Sequence, residues 1–404
     1  MSQSASSASL LRWLRRLVGA EDEAPSPTVA PDDELSLATS QRRARRYADL
    51  GLPPALLEAC SDEPLPVGDG RFVGREKQLE QWQAALVRWR DGRGEMQVVT
   101  GPPGSGITSL LQQMAGGVAG GEASHYGALN RRPADEADAV RLLGELLGLA
   151  EPRESVDALV DDLNSLSPRV FLVDNGHFLV SRMFGSHQAI RVFGGVMLAT
   201  RQRHLWVLGC QEHAWRRLVY VHQADRDFDV PIETAFFSEA ELGRCLAARL
   251  DRAGLLPGDA AEGKEKPAAL HERPLSGLQK LSGGKCDLAT FYFLNSLRVD
   301  PEDGQLRSEP LVELDFSVLN RLTPDELFTL TELAAHGPLH RSEHRRLFRT
   351  SVEETWLMLE RLHQACLLVR EDAAGDPEDD PTYRITPLFS AQISRRLGIA
   401  NVLY

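Results

Sequence analysis

Three runs of consecutive apolar residues stand out from a chain whose remaining apolar positions mostly recur with helical spacing. Met96-Gln97-Val98-Val99-Thr100 leads into Gly101-Pro102-Pro103-Gly104-Ser105-Gly106-Ile107-Thr108-Ser109 and then Leu110-Leu111-Gln112-Gln113-Met114. Val170-Phe171-Leu172-Val173 ends in Asp174, and His204-Leu205-Trp206-Val207-Leu208-Gly209-Cys210 has the same character. Uninterrupted runs of this kind predict parallel strands buried on both faces. Shorter strands are expected at His125–Leu129 and Asp229–Ile232. Between them the period lengthens. Residues 76–90 place Leu79, Trp82, Leu86 and Trp89 on one helical face, and further helices are expected near 135–149, 156–166 and 186–203. Alternating strands and helices predict an α/β fold, a parallel sheet in an αβα sandwich.

The pattern changes from Phe236 onward. Ser238 with Glu241 three residues later reads as a capping box that opens a helix to about Leu250. The Gly/Pro/Lys-rich stretch 256–267 reads as an insertion, and Leu281-Ser282-Gly283-Gly284 precedes a helix at 287–297. Residues 236–300 are thus expected to form a small helical lid. Residues 315–404 predict a winged helix-turn-helix. Thr323-Pro324-Asp325-Glu326 starts a helix that Gly337 stops, helices follow at 342–348 and 352–364, and wing strands fall near 366–369 and 383–385.

At the other end, Leu10, Leu11, Leu14, Leu17 and Val18 share one face with Arg12, Arg15 and Arg16 away from it. Residues 1–19 therefore predict a basic amphipathic helix, open to packing on the chain's own core, on a partner or on a membrane surface, or to service as a targeting segment, since it is basic and lacks acids. Residues 20–38 read as a flexible linker and 39–66 as a helical arm bearing Arg42, Arg43, Arg45 and Arg46.

Composition narrows the classes. A chain of 404 residues with 42% apolar content has room for two or three domains. A net charge of -13 disfavours nucleic-acid binding over the whole surface. Five dispersed cysteines without a C-x-x-C pair (Cys60, Cys210, Cys245, Cys286, Cys366) read as reduced thiols of a cytoplasmic protein.

The chemistry concentrates at Gly101–Ser109. Strand, glycine-rich turn and helix start together form a phosphate-binding loop, with amides pointing inward at a helix N-terminus. The G-x-x-x-x-G-K-[ST] pattern is met at Gly101, Gly106 and Thr108, but Ile107 stands at the lysine position. Asp174 is delivered at the carboxyl end of a buried strand, where ligands sit in open α/β sheets.

With Phe72-Val73-Gly74-Arg75-Glu76 upstream, these motifs resemble the AAA+ and STAND P-loop ATPases over roughly residues 70–300, with the winged segment a common companion. The resemblance implies a P-loop core over 67–235 and an adenine pocket bordered by Val73 and Gly74. It implies a phosphate site made by Gly101, Gly104, Ser105, Gly106, Ile107, Thr108, Ser109 and Asp174. The implied cofactor is ATP or ADP, with magnesium held by Thr108 and Asp174. Asn175 stands where the family carries its catalytic glutamate, and His177 resembles the Asp-Glu-Ala-His variant of that motif. The sensor position falls at Cys210 or Gln211, Arg216 or Arg217 is a candidate arginine finger, and Lys285 is the cation the lid offers.

Two of four catalytic positions have changed. The expectation is a degenerate P-loop protein, with nucleotide binding weak or lost, acting as a regulatory or scaffolding subunit through protein partners or self-assembly. Two alternatives stay open. One is an active ATPase with a lysine from elsewhere, Lys285 or Lys77. The other is a DNA-binding regulator using His340, Arg341, His344, Arg345, Arg346 and Arg349. Against DNA stand Glu353 and Glu354 on the third helix and the wing acids Glu371, Asp372, Asp376, Glu378, Asp379 and Asp380. The expected location is cytoplasmic, with peripheral membrane contact through residues 1–19 left open.

Overall fold

The computed structural model describes residues 51–118, 122–149, 152–180, 187–255, 275–300, 306–371 and 380–403, and the backbone alone of 35–36. The amphipathic stretch 10–18, the arginine-rich start of the arm and the insertion 256–267 lie outside the described residues. The chain divides into two units, one made of Pro64–Gly68, Arg75–Ala235 and Leu322–Tyr404, the other of residues through Glu63, Asp69–Gly74 and Phe236–Arg321.

In the larger unit, helix α1 (Glu76–Arg90) precedes β1 (Met96–Gly101) and α2 (Ile107–Gly116). There follow β2 (Ala123–Ala128), α3 (Glu136–Leu146), α4 (Val156–Ser165) and β3 (Arg169–Asp174). Then come α5 (His187–Thr200), β4 (Leu205–Gln211), α6 (Glu212–His222) and the short β5 (Ile232–Glu233). The strands form one parallel sheet in the order β2-β3-β4-β1-β5. All of β1 is buried and nearly all of β3 and β4, as apolar runs require, whereas the polar edge strand β2 is half exposed. Phe171 stacks on Trp206 with ring centroids 4.6 Å apart in a core shared with α3, α4 and α5.

The same unit contains α10 (Pro324–His336), β6 (Leu339–His340), α11 (Arg341–Phe348), α12 (Val352–Gln364), β7 (Leu368–Glu371), β8 (Thr382–Ile385) and α13 (Ser390–Ile399). The three strands are antiparallel in the order β6-β8-β7. The Thr323–Glu326 capping box forms as its sequence requires, with both reciprocal hydrogen bonds present. The sequence reading did not anticipate β6 or α13. Two residues are too few for a period, and α13 is polar on most of its surface.

The smaller unit holds α7 (Glu239–Arg252), α8 (Leu275–Ser282) and α9 (Cys286–Asn295), with a short helix Pro54–Ala59 and a hairpin of 297–299 with 306–308. Its Ser238–Glu241 capping box is complete. One expectation is corrected here: Cys245 on α7 and Cys286 at the start of α9 are joined as a disulfide, in which Cys60, Cys210 and Cys366 take no part. Packing of α7 against α9 brings together two cysteines 41 residues apart, which spacing alone did not reveal. No described helix is long and apolar enough to cross a membrane.

Candidate functional site

The phosphate-loop segment leaves β1 at Gly101 and enters α2 at Ile107. Gly104 and Gly106 hold left-handed φ values of 84° and 87°, which residues with a Cβ adopt only under strain. That curl aims the chain into α2, whose first amides lack intrahelical acceptors and lie at the positive end of the helix dipole.

The loop is braced from behind. Buried Arg75 donates from Nη2 to the Ser105 and Ala235 carbonyls, both at 2.8 Å. Ser105 Oγ lies 2.6 Å from Thr234 Oγ1, and a Cβ on Gly101 would fall 2.0 Å from the same Thr234 oxygen. Ser109 Oγ accepts the Leu65 N–H at 3.0 Å, so its hydroxyl serves segment 64–68. Sequence reasoning quoted Arg75 only as part of a motif and missed Thr234, whose partners lie more than 100 residues away.

Asp174 closes β3 and is buried. Its Oδ1 accepts the Asn175 N–H at 2.7 Å and its Oδ2 accepts the Tyr126 hydroxyl at 3.0 Å, and the Thr108 side chain also favours its charged form. Burial pushes the carboxyl above its ordinary range, and these three groups oppose that push. Burial and the neighbouring carboxylate together push the Tyr126 phenol up. Tyr126 was missed because only strand pairing, with Ala128 opposite Asp174, brings it alongside.

Position 175 has a backbone reason to be asparagine. It sits at φ 59°, ψ 34°, a left-handed conformation that asparagine tolerates, and its Nδ2 donates to the Leu129 carbonyl at 2.9 Å. A glutamate there has no N–H to offer Leu129. Ile107 and Asp174 converge on Gly209: a Cβ built there would lie 2.9 Å from Asp174 Oδ1 and 3.2 Å from Ile107 Cγ2. The side chain at the lysine position therefore places methyl groups, not an ammonium, beside the carboxylate.

Of the two sensor candidates, Cys210 is buried and its thiol is pushed up by burial, while Gln211 pairs in register with Gly101 at the sheet edge. Arg216 pairs with Glu212 on its own helix at 3.2 Å. Val73 and Gly74 belong to the smaller unit, where Gly74 borders Phe237 and Glu241. Lys285 also lies there, and its expected role is corrected. It is fully buried, with Nζ 2.5 Å from Asp287 Oδ2, so its charge is spent on a local ion pair.

Next to Asp174 the sheet edge meets the C-terminal elements. Burial, reinforced by the Arg132 charge, pulls the His177 imidazole down to about 3, so the ring is neutral at ordinary pH. It stacks on Phe178 and abuts Gly337, where a Cβ would lie 2.6 Å from its Cδ2. Arg132, buried in the loop after β2, donates to the carbonyls of His336, Gly337 and Pro338 and lies 3.5 Å from Glu343. Ser390 at the start of α13 reaches the Pro103 carbonyl of the phosphate loop at 3.5 Å.

The loop's amides and dipole suit an anion. Of the metal pair Thr108 and Asp174, the carboxylate is engaged with Tyr126 and the Asn175 amide, and the loop offers no cationic side chain.

No family model and no curated protein matches the chain. Solved structures do. The Aeropyrum pernix ORC2 protein, in ADPNP–ADP complexes, aligns with TM-score 0.50 at 16% identity over 84% of this chain and 98% of that chain. Cdc6p from Pyrobaculum aerophilum aligns with TM-score 0.44 at 15% identity over 85% and 98%. The Aeropyrum pernix ORC1 protein in complex with DNA gives 0.44 at 14% over 86% and 97%. A five-stranded parallel sheet flanked by helices, with the glycine loop after β1 and the buried aspartate ending β3, gives this chain a mixed α/β, P-loop-type fold similar to that of the Aeropyrum pernix ORC2 protein.

Proposed function

We propose that the chain is a regulatory or scaffolding subunit whose phosphate site holds nucleotide weakly or not at all and does not hydrolyse it efficiently. One observation carries this reading. Asp174 accepts hydrogen bonds from the Tyr126 hydroxyl and the Asn175 amide, and an isoleucine side chain stands beside it where a working site has an ammonium. In a working P-loop site a lysine contacts the β- and γ-phosphates, the aspartate and the threonine serve magnesium, and another residue orients the attacking water. Losing the charge-assisted phosphate contact removes about 1.5–3 kcal/mol. Losing the general base costs about 10²–10⁴ in rate. The Aeropyrum pernix ORC2 protein is described with ADPNP and ADP, which makes adenine nucleotide the ligand to test.

The test is calorimetric titration of ATP and ADP with magnesium into the full chain and into an Ile107→Lys variant. The expected outcome is at least about tenfold tighter binding by the variant, equivalent to about 1.4 kcal/mol, without turnover by the wild type. Turnover by the wild type that disappears in Asp174→Ala would instead establish a working ATPase.

In this reading residues 67–235 are the nucleotide-fold core, 236–300 the lid and 315–404 a winged-helix module for protein contact. A three-helix set with an antiparallel sheet and carboxylates on its third helix supports the last assignment. One feature favours a DNA reading. Arg345, Arg346 and Arg349 are exposed on α11 and its cap, although His344 of the same cluster is buried against Thr329 at 3.0 Å. Salt-dependent binding of duplex DNA, weakened by Arg345→Ala with Arg346→Ala, would support that alternative.

A further inference from the structure

The disulfide of the smaller unit is asymmetric in exposure and in charge. Cys245, on α7, is 1% exposed, whereas Cys286, the first residue of α9, is half-buried. One turn further along α7 stands Arg249, also buried. From Nη1 it donates to the Cys245 carbonyl at 3.2 Å and lies 2.9 Å from Cys245 Sγ. Its Nε has no hydrogen-bond partner among the described residues. A buried guanidinium short of acceptors is costly unless an anion shares its site. While the disulfide stands, the sulfur carries no charge. Once the bond opens, the Cys245 thiolate is the anion that this cation suits.

The third cysteine nearby does not compete. Cys60 follows the helix Pro54–Ala59, which packs on α7, and burial pushes its thiol up to about 11 against the opposing Arg249 charge. It stays protonated at ordinary pH, and the thiolate, not the thiol, is the nucleophile in disulfide exchange. The packing of α7 and α9 does not depend on the crosslink alone, because Leu250 and Leu294 share one buried cluster with Leu52, Leu56 and Leu297. The unit keeps its core when the bond is open.

We propose that Cys245–Cys286 is a reversible redox switch, opened by a dithiol that attacks Cys286, with Arg249 as the positioning residue that stabilises the departing Cys245 thiolate. The dithiol's thiolate bonds to Cys286 Sγ, the sulfur–sulfur bond breaks, and its electron pair goes to Cys245 Sγ beside Nη1. The second thiol of the reductant then displaces Cys286 and the reductant leaves as a cyclic disulfide. Two electrons and two protons pass in all from the dithiol to the cysteine pair, and the reverse exchange with that cyclic disulfide restores the bond. A lower pKa of the leaving thiol speeds the first step. Opening unties the start of α9 from α7.

The test uses the full chain purified without reductant, exposed to dithiothreitol, quenched with iodoacetamide and read cysteine by cysteine by peptide mass spectrometry. The bond should be present at the outset and open reversibly, at least about fivefold more slowly in Arg249→Met and at the wild-type rate in Cys60→Ser. In the reduced chain, thiolate absorbance of wild type against Cys245→Ser should place the Cys245 titration below the ordinary value of about 8.5, and Arg249→Met should raise it by about one unit or more. Amide exchange over residues 286–295 should quicken on reduction. Absence of the bond, opening of Arg249→Met at the wild-type rate, or a wild-type Cys245 titrating above about 8.5 overturns the proposal. The last result needs no arginine variant, so the proposal stays open to refutation even where Arg249→Met fails to fold.

Discussion

Two buried charges lie at the carboxyl edge of one sheet and are neutralised in different ways. Asp174 takes its donors from close neighbours in the sheet core: the next amide and a tyrosine on the adjacent strand. Arg132 takes its acceptors from the end of α10, 204 to 206 residues further along the chain. The first arrangement occupies the carboxylate, because each donor pointed at it takes one of the acceptor directions of its oxygens. The second makes a joint, because the last carbonyls of a helix need donors and a guanidinium offers several in a plane. The hydrogen-bonded carboxylate and the attachment of the C-terminal elements are therefore neighbours at one sheet edge.

The largest expected effect tests the joint. Arg132→Ala leaves the carbonyls at the end of α10 without their donor, and each buried unsatisfied group costs about 1–3 kcal/mol. A total loss of about 3 kcal/mol is expected in urea unfolding of the full chain, with faster amide exchange over residues 333–340. A loss below about 1 kcal/mol would show that the joint is held elsewhere.

A smaller effect is expected from pH. His177 is held near 3 in the folded chain against an ordinary value of 6.5. Below pH 6.5 the unfolded chain binds a proton that the folded imidazole refuses, so stability is fully present above that value and falls as pH drops toward 3. Urea midpoints at pH 7 and pH 5 should therefore separate less in His177→Gln than in the wild type. An equal separation would remove His177 from the acid response.

The smallest effect is expected at the carboxylate. Asp174→Asn keeps the shape and removes a buried charge whose protonation burial already favours, so stability should change by no more than about 1 kcal/mol in either direction. A loss comparable to that of Arg132→Ala would show that the carboxylate, not the joint, holds this edge together.

What was legible in the sequence was local. Apolar runs announced β1, β3 and β4, the glycines announced the curled loop, and the Ser238 and Thr323 boxes announced helix starts that formed as written. The substitutions Ile107 and Asn175 were visible too, but not their surroundings. That Asn175 serves a left-handed turn through Leu129 depends on strand neighbours. Arg132 carried no signal at all in a polar loop, and Lys285 looked available until packing buried it against Asp287.

The sequence by itself determined the αβα framework and the presence of Ile107 and Asn175 in its two motifs, because secondary structure and motif chemistry are encoded within a few residues. The tertiary structure alone decided that Asp174 accepts a hydrogen bond from Tyr126, that Arg132 donates to the end of α10 while His177 abuts Gly337, and that Trp356 is exposed. Each of those depends on which surfaces meet after folding. Burial and hydrogen-bond partners belong to the packed chain, and no window along the sequence contains them.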